Sequence, residues 1–297
     1  MTPRFASSDI RRHRPGIQAL YNLPDIHAPK DKKTRHSPNW YARVALILTF
    51  ALLGLTTRSA WAAEYEVHDE DQDGSSWGLG LGVGVMQKAY RGIDTDTIAI
   101  PIIIYDSEWI GVRGGSISLK LPSAGPVSFA LSADFSNDGY EASDSDFLAG
   151  MDEREDNFWL GATAKWETSV ADFSTTWSTD VSGNSEGQKF AISAERAFES
   201  GNFEFAPRLG AQWLDDNYVN YYYGVRAHEA TPDRSFYVPD STVNFEAGFR
   251  TTYKLPAYRS SVFLDLSVHS LGSSIADSPL VDGSTEERIF VGFVRMF

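Results

Sequence analysis

Few side chains in this sequence combine the types and spacing that chemistry requires. DEDQDG (Asp69 to Gly74) begins like a calcium-binding loop, but position twelve of such a loop is Gly80 and not the bidentate Glu the ion needs. It reads as a solvated acidic stretch. GLGLGVGV carries Gly78, Gly80, Gly82 and Gly84 at every second residue. A dinucleotide-binding turn needs G-x-G-x-x-G opening a helix, and no helical pattern follows. Alternate glycines instead describe a strand with one bare face, which permits curvature or close approach of another segment. Past the acidic stretch the histidines are His228 and His269, and with His68 before it they show no metal-ligand spacing. His228 beside loop acids such as Asp233 comes nearest to a general base, yet no nucleophile or paired carboxylate accompanies it. No catalytic residue, metal ligand or cofactor site is assigned.

The elements that carry these residues explain their sparseness. The chain has 297 residues, no cysteine and a net charge of -14. An apolar fraction of 42% excludes global disorder, and acidity argues against nucleic acid as a partner. Residues 1–62 hold ten Lys/Arg against three Asp/Glu, and the remainder sixteen against thirty-seven. The change of sign coincides with VALILTFALLGL (Val44 to Leu55), whose twelve residues are too few for a spanning helix of about 20. A basic flank before it and SAWA after it, with Ala60 and Ala62 at an A-x-A site, describe a signal peptide cut near Ala62-Ala63. The division is therefore 1–62 basic leader and signal peptide, 63–75 acidic segment and 76–297 folded domain.

The exported part has period two throughout. Val127, Phe129, Leu131, Ala133 and Phe135 alternate with Ser128, Ala130, Ser132 and Asp134. The same pattern runs through 157–167, 201–213, 240–254 and 259–271. Strands of this length exceed the soluble average of about five or six residues and match the 9–11 that cross a bilayer at a tilt. Tight joins such as ESGN and KLPAYRS alternate with long acidic ones such as DDNYVNYYYGVRAHEATPDRSFYVPD, as on the two rims of an outer-membrane barrel. The expected fold is thus all-β, a transmembrane antiparallel barrel.

Candidate strands lie near 76–87, 96–105, 108–121, 125–136, 157–167, 169–181, 187–199, 201–213, 240–254, 259–271 and 286–297. Eleven is an odd number, and bacterial barrels have even ones. Gly114-Gly115 in WIGVRGGSISLKL is where one candidate divides, giving twelve strands, with ten as the alternative. The inward polar set of Lys165, Asp172, Asp180, Lys189, Glu195, Glu204, Arg208, Glu246, Arg250, Lys254 and Asp265 either hydrates a pore or pairs across a closed interior. Phe297 shares a lipid-facing side with Phe293, Val291 and Ile289, at the inner aromatic girdle.

WGLGLGVGV, AYRGIDTDTIAIPIIIYDSEWIGVRGG, DDNYVNYYYGV, IADSPLVDG and the terminal strand resemble the MipA/OmpV family of outer-membrane proteins. The resemblance implies a bacterial outer-membrane barrel without known catalytic residues or cofactors. It also implies a scaffold or interaction role, possible partners being a periplasmic lytic transglycosylase and a penicillin-binding protein in murein synthesis. A small-solute diffusion channel is the alternative. Outer-membrane lipids and lipopolysaccharide would surround such a barrel.

Overall fold

A computed structural model describes residues 74–93 and 95–297. The leader, its cleavage site, His68 and the acidic run Asp69–Asp73 lie outside the described residues. Among the described residues thirteen strands follow one another: β1 Ser76–Met86, β2 Asp96–Asp106, β3 Ile110–Arg113, β4 Ser116–Ala124, β5 Val127–Ser136, β6 Asn157–Glu167, β7 Asp172–Asp180, β8 Gln188–Glu195, β9 Phe198–Ser200, β10 Phe203–Leu214, β11 Thr242–Leu255, β12 Ser260–Ser270 and β13 Thr285–Met296. Consecutive strands pair antiparallel, except that β8 and β9 both pair with β10, and β13 returns to pair with β1 from Gly78↔Met296 to Met86↔Arg288. The sheet has closed on itself.

β8 and β9 lie in line along β10 and form a single stave, so the barrel has twelve. The sequence suggests one unbroken strand over 187–199. The interruption falls at Arg196-Ala197, opposite Pro207, whose carbonyl accepts from Arg196 N–H at 3.2 Å but which has no N–H to return. The twelfth stave comes from the division at Gly114-Gly115. Gly114 takes φ +56°, a conformation costly for other residues, and turns β3 back as β4.

The period-two pattern sorts the faces. Leu79, Leu81, Val83 and Val85 of β1 point outward and are exposed, as are Phe129, Leu131, Leu160, Trp166, Ile192, Leu209, Phe249 and Leu264 on other staves. In water such a surface would be untenable; against hydrocarbon it is the required one. Gly78, Gly80, Gly82 and Gly84 form the inward face of β1. A Cβ on Gly82 would lie 2.3 Å from the ring of Phe290, so the missing side chains make room for an aromatic lining.

The seam between β13 and β1 is closed at its periplasmic end by Phe297. Its N–H donates to the Trp77 carbonyl at 2.9 Å, and its ring stacks on Trp77 at 4.3 Å. Arg295 faces outward and lies over the same ring at 5.4 Å, which lets a cation sit at the lipid boundary. Phe297→Ala removes both ring contacts and keeps the backbone hydrogen bond. By area the loss is about 1.5–3 kcal/mol, modest beside the whole ladder. The expected outcome is a fall in the amount of inserted barrel, measured by heat-modifiable gel mobility, larger than any fall in the melting temperature of the fraction that inserts. A large thermal shift at normal yield would contradict this.

Candidate functional site: the capped lumen

The long joins, described over 87–93, 137–156, 215–241 and 271–284, fold together over the outer mouth. The sequence of 215–241 suggests a long loop; the structure places helix α1 there, Asp216–Tyr223. Asp215 caps it by accepting from Tyr218 N–H at 2.9 Å. The i, i+4 spacing of Tyr218 and Tyr222, with Val219 between, then gives the helix one buried aromatic face. Against that face pack Tyr90, Tyr140, Leu148, Met151, Trp159, Ile275, Leu280 and Val281, one residue or more from every long join. The cap is the main hydrophobic core of the described residues.

Two buried arginines tie the joins together. Arg154 is 2% exposed and Glu229 1%. The Arg154 guanidinium donates to both Glu229 oxygens at 2.9 and 3.0 Å, to the Tyr221 carbonyl at 2.6 Å and to the Asp152 carbonyl at 2.9 Å. It also faces the rings of Tyr140 and Tyr221 at 5.7 Å. Arg234 reaches the carbonyls of Phe147, Ala149 and Glu229. Burial works to raise the Glu229 pKa, but donation from Arg226 N–H, the Arg154 guanidinium and Asp152 N–H holds it below the usual carboxylate range. The pair is thus ionised, buried and fully hydrogen-bonded, the condition under which a buried ion pair is tolerated. Burial pushes the Tyr140 hydroxyl up to about 12 and drives Tyr90 and Tyr218 well above their ordinary value, so the aromatic cluster stays neutral.

Beneath the cap lies a chamber lined by Lys88, Asp138, Lys189, Tyr218, Glu246, His269 and Arg288 among others. Lys189 is held over the rings of Trp159 and Tyr218 at 3.9 and 4.2 Å and pairs with Asp138 at 3.2 Å. Deeper, Arg208 crosses the interior. It donates to Asp265 at 2.8 and 2.9 Å and to Glu246 at 2.8 Å, while Arg250 donates to the same Asp265 at 2.8 Å. Gly248 makes this possible, because a Cβ there would meet the guanidinium at 2.6 Å. Of the two readings of the inward polar set, these residues follow the paired one.

The residues weighed for catalysis are not brought together. His228 sits in the outer loops and pairs with Asp152 at 2.9 Å, not with Asp233, and His269 lines the chamber 3.9 Å from Glu246. Asp152, His228 and Glu229 lie close enough to suggest a metal, but Glu229 already accepts from Arg154 on both oxygens and from two backbone N–H groups, and Arg226 occupies the Asp152 oxygen that His228 shares. The donor set is committed to structure. Hydrogen bonds from His228 and Arg226 hold the Asp152 carboxyl below its ordinary range. Sequence reasoning missed Arg154, Glu229 and Arg234 because their significance rests on meeting across some 75 residues, which no local pattern displays.

An apolar outer belt on a closed ring of twelve antiparallel staves defines a bacterial outer-membrane β-barrel protein, here with its outer mouth capped. Residues 79–297 match the family described as MltA-interacting protein MipA, and the chain belongs to that family. It is similar to the putative outer membrane protein YiaT of Escherichia coli, 26% identical over 66% of this chain and 80% of that one. It is also 26% identical to the MltA-interacting protein of E. coli, over 72% of this chain and 87% of that one. The outer membrane protein OmpV of Vibrio cholerae is 26% identical over 50% of this chain and 57% of its own.

Breaking a buried ion pair from one side costs about 3–5 kcal/mol, so Arg154→Ala is expected to loosen the cap selectively. Limited proteolysis on whole cells should cut within 137–156 and 224–240 at least tenfold faster, with the barrel still heat-modifiable. Equal resistance in wild type and variant would show that the clasp does not hold the cap.

Asp156 supplies a pH test. Burial raises its pKa to about 6, with nearby Asp138 adding to the shift and Gly139 N–H, 3.0 Å from Oδ1, opposing it. A group whose folded pKa is raised favours folding while protonated, and that contribution is lost as pH rises from the unfolded value through about 6. Cap resistance to protease should therefore decline between about pH 3.8 and about 6 and level off above that. Asp156→Asn, which keeps the oxygen acceptor, should flatten the decline.

Proposed function

We propose that this protein is a non-enzymatic outer-membrane scaffold whose barrel anchors an interaction with murein-synthesising and murein-remodelling enzymes on the periplasmic side. The observation that carries the reading is the cap. A diffusion channel needs a continuous aqueous path, whereas here four joins pack an aromatic core over the outer mouth and fix it with a fully hydrogen-bonded buried ion pair. The Arg208–Glu246–Asp265–Arg250 network occupies the lumen below it. A relative of this chain bears the name MltA-interacting protein, which supports a lytic transglycosylase as one partner. A penicillin-binding protein is the second partner the scaffold role calls for. Lipids and lipopolysaccharide of the outer membrane surround the apolar belt.

A small-solute channel is the second reading, and the charged chamber beneath the cap favours it: a chamber with both signs of charge is what a solute would meet if the cap opened. One experiment separates the two. Purified protein in planar bilayers is expected to show no stable conductance steps, while the crosslinked native membrane yields a murein enzyme attached to the barrel. Steady ion-conducting steps in the wild type, with no such attachment, would overturn the scaffold reading in favour of the channel.

A further inference from the structure

The interior of the barrel is not uniformly polar. Register with the glycine face of β1 turns Ile98, Ile100, Ile102 and Ile104 of β2 inward, where each remains partly exposed. Phe263 of β12 and Phe290 of β13 continue this surface, their rings 5.7 Å apart. The neighbouring wall, along β10, β11 and β12, is the buried ionic network, and Arg250 over Phe263 at 5.2 Å marks the border. In a water-filled lumen this apolar strip would be left unfavourably hydrated.

The wall beside the strip is incomplete. β3 has four residues, which reach about 13 Å at 3.3 Å per residue, against an apolar band of about 25 Å. It pairs with β2 only at Ile104–Asp106, with one further bond from Gly114 N–H to the Ile103 carbonyl. Outward of that point β2 has, among the described residues, no ladder partner on this side. Groups of the same parity as Ile103 face the opening, and one of them is Pro101, which has no N–H to leave unsatisfied. β5 ends at Ser136, and Phe135 N–H reaches only the hairpin tip at Gly115. The result is a notch in the outer half of the wall, with the Gly114-Gly115 turn as its floor.

We propose that this notch is a lateral port and that the isoleucine–phenylalanine strip is a binding site for the hydrocarbon tail of an amphiphile drawn sideways from the outer leaflet. The strip is continuous through the notch with the lipid-facing belt, so its occupant comes from the bilayer and needs no passage through the cap. A tail lying on the strip leaves its polar head at the notch, near exposed Thr97.

The probe is a C16 fatty acid carrying a diazirine, added in trace to the barrel in phospholipid nanodiscs, photolysed and mapped by mass spectrometry. Adducts are expected on Ile98, Ile100, Ile102 and Phe290 as well as on the outer belt, and unlabelled palmitate should suppress the inward adducts at least tenfold while sparing those on Leu79, Leu81 and Val83. Adducts confined to the outer belt, or inward adducts that palmitate does not suppress, would overturn the proposal. A second readout needs no ligand. The chain has no cysteine, so a nitroxide at Ile100→Cys is unique. Its relaxation should respond to oxygen more than to a water-soluble nickel chelate, as at Leu81→Cys on the lipid face and opposite to Thr163→Cys on the polar wall. Stronger response to nickel at position 100 would show a watery strip and sink the idea. Neither outcome bears on murein partners, so this inference and the scaffold reading fail separately.

Discussion

Hydrocarbon offers no hydrogen bonds, and every other feature of this molecule follows from that constraint. A backbone N–H or carbonyl left facing lipid costs several kcal/mol, so a sheet in a bilayer must meet its own edge. Here β13 returns to β1 over a nine-residue register and the ladder becomes a ring. Three departures from regular pairing among the described residues each coincide with a proline, one of them Pro122, where β4 shifts register against β5 between Leu121 and Ala124. Pro207 lies where one stave is interrupted, and Pro101 lies on the free edge of β2. The residue without a donor stands where a donor would go unanswered.

A closed ring encloses an interior, and this interior is filled in three different ways. Along β10, β11 and β12 the filling is ionic, with Arg208 shared between Glu246 and Asp265 over the bare backbone of Gly248. Along β1, β2 and β13 it is apolar, with aromatic rings lying on glycine. At the outer mouth it is a cap in which tyrosine faces from one join pack on aliphatic and aromatic residues of the others. The cap alone resembles the core of a soluble protein, and it alone depends on a buried ion pair between distant joins.

Those three regions were unequally legible in the sequence. Period two revealed the lipid face and the inward polar set, because alternation is imposed residue by residue by the pleat. Gly114-Gly115 revealed the twelfth stave once an even count was required. The glycine run was legible as a bare inward face, but not the isoleucines opposite it: IAIPIII is apolar at consecutive positions, so alternation gives no sign of which residues point in. The cap was legible only as long, acidic, tyrosine-rich joins. Arg154 lies in ERED and Glu229 in HEA, contexts that read as solvated charge, and only the fold shows that both are buried.

The outer mouth is sealed by a cooperatively folded cap and not covered by loose loops. Hydrogen–deuterium exchange of the protein in native outer-membrane vesicles tests it most directly. Residues 140–154 and 218–237 are expected to be protected to a similar degree and to gain deuterium together, since one buried ion pair and one aromatic core hold both. Exchange of either segment at the rate of an unstructured peptide, with the staves still protected, would contradict it.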